Sequence, residues 1–272
     1  MKLRKLPSRI KRKLRELPVI EAIANRISDR RFRAWQRLNP GRTFGEYYAA
    51  KTVALLDQGR GHYTLGGRGK LKDHGAKVEW TADDFSARAL DIWATILGLG
   101  LTPQMKCVDY GCGSLRLGQH AMRYLAPGHY CGMDVVDTFI NQGLALIDPA
   151  LVVEKAPRLL TITPQSLSEI AEWRPDFIFS SAVLQHVPPD ELPEYFRRLV
   201  SMMSGPCTAH ILYIGGHRLK RVKALNWVYP LDQLLAALAA GAPELAMVED
   251  RVLPELGTVE GRSRRVLTLR RR

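Results

Sequence analysis

Two aspartates and a histidine stand at places in this sequence where a side chain can meet a small ligand: Asp109, Asp134 and His186. Asp109 opens the run Asp109-Tyr110-Gly111-Cys112-Gly113 inside KCVDYGCGSLRLG, residues 106–118. Cys107 and Val108 before it suit a buried strand, and Leu115 and Leu117 after it resume a helical spacing. The period therefore changes across the glycines, and a tight strand-to-helix turn needs residues that accept positive φ and let the backbone approach a ligand. Asp109 is then expected at the carboxyl end of a strand, where open α/β sheets bind their ligands. A phosphate loop offers amide N–H groups and keeps negative charge away, so Asp109 argues against a pyrophosphate. The dinucleotide spacing G-x-G-x-x-G fails as well, because its third glycine falls at Arg116.

A carboxylate beside the loop suits a cofactor that carries an ammonium and a sulfonium. On these residues the stretch resembles motif I of the class I S-adenosylmethionine-dependent methyltransferases, acidic-x-Gly-x-Gly-x-Gly, with Leu115 in place of the last glycine. The resemblance extends over residues 81–270. It implies S-adenosylmethionine as cofactor, held at Asp109, Tyr110, Gly111, Cys112 and Gly113. In Tyr130–Asp134, YCGMD, Asp134 ends the next strand about 20 residues beyond the glycine loop, where a carboxylate can accept from both ribose hydroxyls. Met133 and Val135 would flank the adenine. A helix cap near Asp137 is the competing role for Asp134. After LLTIT, where many relatives carry an acid for the adenine amino group, this chain has Thr163-Pro164-Gln165, so Thr163 or Gln165 is the expected substitute. Asp176 to Ser181 leads into Val183-Leu184-Gln185-His186-Val187, similar to the D-x-I-x-S and V-L-x-H-V run of small-molecule methyltransferases. Ser180 and Ser181 are then expected beside the methionine end of the cofactor. His186 is the candidate general base, with a structural role before a proline-initiated helix as the alternative. His217 follows a later strand on the same sheet edge and is a candidate substrate contact. Arg218, Lys220, Arg221 and Lys223 behind it suit either an anionic acceptor or a solvated loop.

These residues need a scaffold, and the remaining pattern supplies one. Strands are expected near 105–110, 129–134, 158–163, 176–181, 208–214, 245–253 and 264–270, alternating with helices near 114–126, 137–147, 166–172, 190–203 and 230–240. Such alternation predicts a Rossmann-like, seven-stranded, mostly parallel sheet with helices on both faces. The last two strands have only Pro254–Gly261 between them, which is too short for a crossover and predicts an antiparallel C-terminal hairpin. Thr81 and Asp84 read as a capping box ahead of a helix whose buried stripe is Phe85, Leu90, Trp93, Ile96 and Leu97.

The organisation expected is a basic helical arm over 1–38, a loop-rich lid or linker over 39–80 whose turns bound a helix around Tyr47–Leu56, and the methyltransferase domain over 81–272. Tyr47, Tyr48, His62 and Tyr63 are the lid's candidates for substrate contact, and packing is the alternative for each. The chain carries a net charge of +13, but residues 1–37 hold 13 Lys/Arg against 3 Asp/Glu and residues 262–272 hold 6 Arg, so the body between them is slightly acidic. Basic ends on an acidic body favour docking over a nucleic-acid substrate. In the arm, Leu3, Leu6, Ile10, Leu14 and Leu17 and then, past Pro18, Val19, Ile20, Ile23 and Ile27 line one side of two amphipathic helices. Contact with an anionic membrane or an acidic partner, or packing on the chain's own domain, would each use such faces. Without an apolar run long enough to span a bilayer, a cytoplasmic or membrane-peripheral protein is expected, acting on a small-molecule or lipid-linked acceptor. The four cysteines lack metal-ligand or redox spacing and read as buried free thiols, so no metal site is expected.

Overall fold

The computed structural model describes residues 18–58, 89–222, 226–259 and 262–272. Leu3 to Leu17, His62, Tyr63, the Thr81/Asp84 capping box, Phe85 and Lys223 lie outside the described residues. Helix α1 covers Pro18–Leu38 and α2 covers Phe44–Asp57, where a helix was expected only from Tyr47. The signal for its earlier start is a capping box: the Thr43 amide donates to Glu46 Oε2 (2.7 Å) while the Glu46 amide donates to Thr43 Oγ1 (3.2 Å).

From there the chain alternates: α3 (Leu90–Gly98), β1 (Cys107–Tyr110), α4 (Gly118–Tyr124), β2 (Tyr130–Asp134), α5 (Asp137–Leu144), α6 (Pro149–Lys155), β3 (Arg158–Thr161), α7 (Pro164–Trp173), β4 (Phe177–Ser181), α8 (Leu192–Ser201) and β5 (Thr208–Gly215). A short hairpin, β6 (Lys220–Val222) and β7 (Asn226–Val228), precedes α9 (Leu231–Gly241), β8 (Leu245–Val252), β9 (Thr258–Val259) and β10 (Arg262–Arg271). The sheet runs β3-β2-β1-β4-β5-β10-β8, with β9 added beside β10. β1 to β5 pair in parallel, and β10 is antiparallel to both β5 and β8. The seven-stranded α/β architecture with its C-terminal antiparallel hairpin is the one the sequence predicts. Neither α6 nor the β6–β7 hairpin was expected.

Alternate strand residues feed two cores, as a period of two requires. Val108, Tyr110, Cys131, Met133 and Ile178 pack with Ile170, Phe196, Leu199 and Leu238 from α7, α8 and α9. Cys107, Tyr130, Phe177 and Phe179 face Trp93, Ile96, Met122 and Ile140 from α3, α4 and α5. All four cysteines are buried free thiols. α1 joins the body through one face only: Phe32 packs edge-on against Phe44 at 5.2 Å, Trp35 lies 5.5 Å from Tyr47, and Arg221 pairs with Asp29 at 2.5 Å.

Candidate functional site

A cavity of about 310 Å³, mostly apolar, opens over the carboxyl ends of β1, β2 and β4. Its floor is the glycine loop and its neighbours: Asp109, Gly111, Gly113, Asp134 and Ser181 all line it, together with Tyr110 and Cys112. Gly111 (φ 89°) and Gly113 (φ 55°) hold the left-handed backbone that the turn demands. A Cβ at Gly111 would collide with Val183, so the segment after β4 packs directly on the loop.

Leu115 settles into the same left-handed region (φ 61°) that a glycine would occupy there. That conformation costs a non-glycine residue about 1–2 kcal/mol. Its side chain turns down into the core, fully buried, and burying a leucine returns roughly 1.5–3 kcal/mol, so the loop keeps its shape. Leu115 Cδ2 lies over Gly118 and Gly132, where a Cβ would crowd it at 3.2 Å. The positive φ also delays α4, which begins at Gly118 and not near 114.

The floor's two acids have different surroundings. Asp109 is almost wholly buried and accepts one hydrogen bond from Tyr130 Oη at 3.2 Å. Burial pushes its carboxyl up to about 8, with the neighbouring Asp134 charge adding to the rise and the Tyr130 bond opposing it. Asp134 accepts from the Gly113 amide (2.8 Å) and the Val136 amide (2.9 Å), tying the loop to the end of β2. Burial raises its carboxyl only to about 6, because those amides favour the charged form. Asp134 thus both faces the cavity and steadies the entry to α5.

The roof comes from three separate places. Thr43, Gly45 and Tyr48 arrive from the start of α2, His186 and Val187 from the short turn after β4, and Asp190, Glu191, Glu194, Tyr195 and Arg198 from the approach to α8 and its first turns. Tyr48 stacks on the His186 imidazole, ring centroids 5.2 Å apart and planes inclined by 26°. Glu191 latches α2 down: its carboxylate accepts from the Phe44 amide (2.5 Å) and the Gly45 amide (3.4 Å) at the helix N-terminus. Partial burial raises the Glu191 carboxyl, and the two amides pull it back. Tyr229 Oη donates to Val187 O (2.6 Å) and anchors the turn that carries His186.

Several expected site residues are placed elsewhere. Of the two residues expected at the adenine, Met133 is fully buried in the core and Val135 lines the cavity. Thr163 caps α7, exchanging hydrogen bonds with Ser166, and Ile162 takes the cavity position. Ser180 is buried in β4 while Ser181 reaches the cavity. Tyr47 packs among Phe32, Trp35 and Phe44. His217 is exposed on the turn leading to β6 and is not among the cavity-lining residues. Arg221, from the basic cluster behind it, joins α1 to the hairpin through Asp29 and lies over the Trp227 ring at 5.0 Å. Glu191, Glu194, Tyr195 and Arg198 were missed as site residues. Their spacing of three and four in ELPEYFRR, set just after a proline pair, puts them on one helix face and was the available signal.

Strand order, antiparallel hairpin, glycine loop and cavity together define the architecture of the class I S-adenosylmethionine-dependent methyltransferases. Among solved structures the chain is similar to the magnesium protoporphyrin IX methyltransferase ChlM from Synechocystis PCC 6803 with bound SAM, at TM-score 0.53 and 13% identity over 84% of this chain and 95% of that one. It is also similar to the [4+2]-cyclase SpnF, at TM-score 0.56 and 11% identity over 84% and 96%. A third similar structure is a SAM-dependent methyltransferase from Leishmania major, at TM-score 0.50 and 8% identity over 69% and 74%. At these identities the likeness is one of fold. No family model matches the chain, and no curated protein matches it in sequence.

Proposed function

We propose that the chain is an S-adenosylmethionine-dependent methyltransferase acting on an oxygen or nitrogen of a small or lipid-linked acceptor. The observation that carries this reading is the floor of the cavity, where two aspartates and a left-handed glycine loop converge; among the described residues the basic side chains lining the cavity are Arg116 at the loop's far end and Arg198 in the roof. That donor set fits the cofactor: Asp134 suits a ribose diol, Asp109 suits a cationic amino-acid end whose charge would draw off its proton on binding, and the close backbone of Gly111 and Gly113 leaves room beside them. When bound, S-adenosylmethionine supplies an electrophilic methyl group. The chain's own residues then have to orient the acceptor and exclude water, and alignment alone can supply several kcal/mol of barrier reduction, up to about 7–11 kcal/mol. Tyr48, Val187 and Tyr195 form the wall for the acceptor, and the Glu191 latch keeps α2 closed over it. For a hydroxyl acceptor His186 takes the proton, its ring held flat against Tyr48.

The fold also hosts a cyclase, so the reaction needs a direct test. Incubation with methyl-labelled cofactor and a panel of hydroxyl and amine acceptors should transfer label. Wild-type protein that binds no cofactor by calorimetry, or binds it as tightly after Asp134→Ala, overturns the site; binding without transfer to any acceptor points to a cofactor-binding protein on this scaffold.

A further inference from the structure

Helix α1 shows its two sides to two environments. Ser28, Asp29, Phe32 and Trp35 turn inward to the hairpin and α2. The opposite side leaves Val19, Ile20, Ile23 and Ile27 exposed by 68%, 41%, 49% and 46%. These are the residues the sequence places on one side of the arm, and their own domain does not cover them. Arg26, Arg30, Arg31, Arg33 and Arg37 are exposed too. At about 3.6 residues per turn, Arg31 falls on one flank of the isoleucine stripe and Arg26, Arg33 and Arg37 on the other. Asp29 is engaged by Arg221 on the inward side, so it does not offset the outer arginines. Residues 1–17, directly before α1, add eight Lys/Arg against one Glu.

Exposed isoleucines edged by guanidinium groups are unfavourable in water and complementary to a lipid interface, where apolar side chains enter the acyl boundary and cations meet lipid phosphates. A nucleic acid would use the arginines and leave the isoleucines wet. We propose that α1 docks this protein on an anionic bilayer surface, with Ile20, Ile23 and Ile27 inserted and the flanking arginines on the headgroups. The Asp29–Arg221 pair and the Phe32–Phe44 contact fix α1 to the body. Docking therefore holds α2, and with it the roof of the cavity, at the membrane surface. No helix among the described residues is long and apolar enough to cross a membrane, so attachment here is interfacial.

Flotation of the full chain with phosphatidylcholine vesicles, and with vesicles also containing phosphatidylglycerol, tests this. Recovery should need phosphatidylglycerol, fall at high salt, and drop about tenfold in Ile23→Asp/Ile27→Asp, whose thermal melt stays wild-type because both side chains are exposed. Arg26→Gln/Arg33→Gln should weaken binding and flatten its salt dependence. Failure of the wild type to float, or equal flotation of the isoleucine variant, overturns the proposal. So does binding of single-stranded RNA without vesicle binding, or self-association that the isoleucine variant abolishes while vesicles bind neither protein. None of these outcomes depends on methyl transfer, so the two readings fail separately.

Discussion

The floor and the roof of the cavity are built in opposite ways. The floor is drawn from neighbouring strand ends and one tight loop, its acids buried, Asp134 held by the Gly113 and Val136 amides and Asp109 by the Tyr130 hydroxyl on the adjacent strand. The roof brings residues from the 40s, the 180s and the 190s together through a carboxylate latch and a ring stack. Local geometry makes the floor rigid and leaves its electrostatics strained. The roof instead depends on contacts between segments far apart in the chain.

Substitutions can break this contrast, and the floor should respond most. Gly111→Ala meets both the positive φ and the Val183 side chain, and should cost about 3–4 kcal/mol in urea unfolding. Adding Val183→Ala should recover the clash but not the backbone strain, so full recovery would show that φ is tolerated at 111.

Asp109→Asn should act in the reverse direction on stability. The folded chain keeps the Asp109 proton up to about pH 8, whereas an aspartate in the unfolded chain loses it near 3.8. The fold therefore binds the extra proton between those values, and its stability falls as pH rises through them. The Asn variant should flatten that decline and gain on the order of 3 kcal/mol near pH 8, while weakening cofactor binding. Coincident profiles in urea unfolding across pH would mean that the carboxylate is ionised and compensated in the fold. His210 must be read separately, because burial lowers it to about 4 and its contribution is lost as pH falls from the mid-sixes toward that value.

Asp134→Asn keeps an acceptor for one amide and leaves the other facing an amide NH₂. Calorimetry should show cofactor affinity down by about 1.5–2.5 kcal/mol, with a smaller loss of stability. The smallest effect belongs to the roof. Glu191→Gln weakens only the latch, so about 1 kcal/mol or less of stability should be lost and the acceptor KM should rise with cofactor affinity preserved. A cofactor-affinity loss as large as that of Asp134→Asn would mean that floor and roof are not separable.

The same division governs what could be read from the residues alone. The glycine loop, Asp134 and the Val183–Val187 run are local patterns whose spacing fixes strand, turn and helix, and the sheet order follows from alternation and connection lengths. The edges were less legible: β3 ends at Thr161 because Thr163 is engaged as a cap, and Pro164 starts α7 two residues early. Of the residues expected at the site, Met133 and Ser180 turn into the core from within their strands, while Val135, just past the end of β2, and Ser181, on the other face of β4 from Ser180, reach the cavity. The roof was largely hidden, since Glu191 meets Phe44 across 147 residues and no local spacing announces such a pair.

Leu115 leaves the loop little freedom to accept substitution. A residue that must be left-handed for the turn and large for the core is caught between two demands. Glycine would relax the backbone and open a void beneath it, while isoleucine or valine would fill the void and refuse the φ angle. Gly118 and Gly132 bound the same space, since a Cβ at either would meet Tyr130 Oη first, and Leu115 Cδ2 at 3.2 Å, so bulk added at 115 or at either glycine falls on one shared packing site.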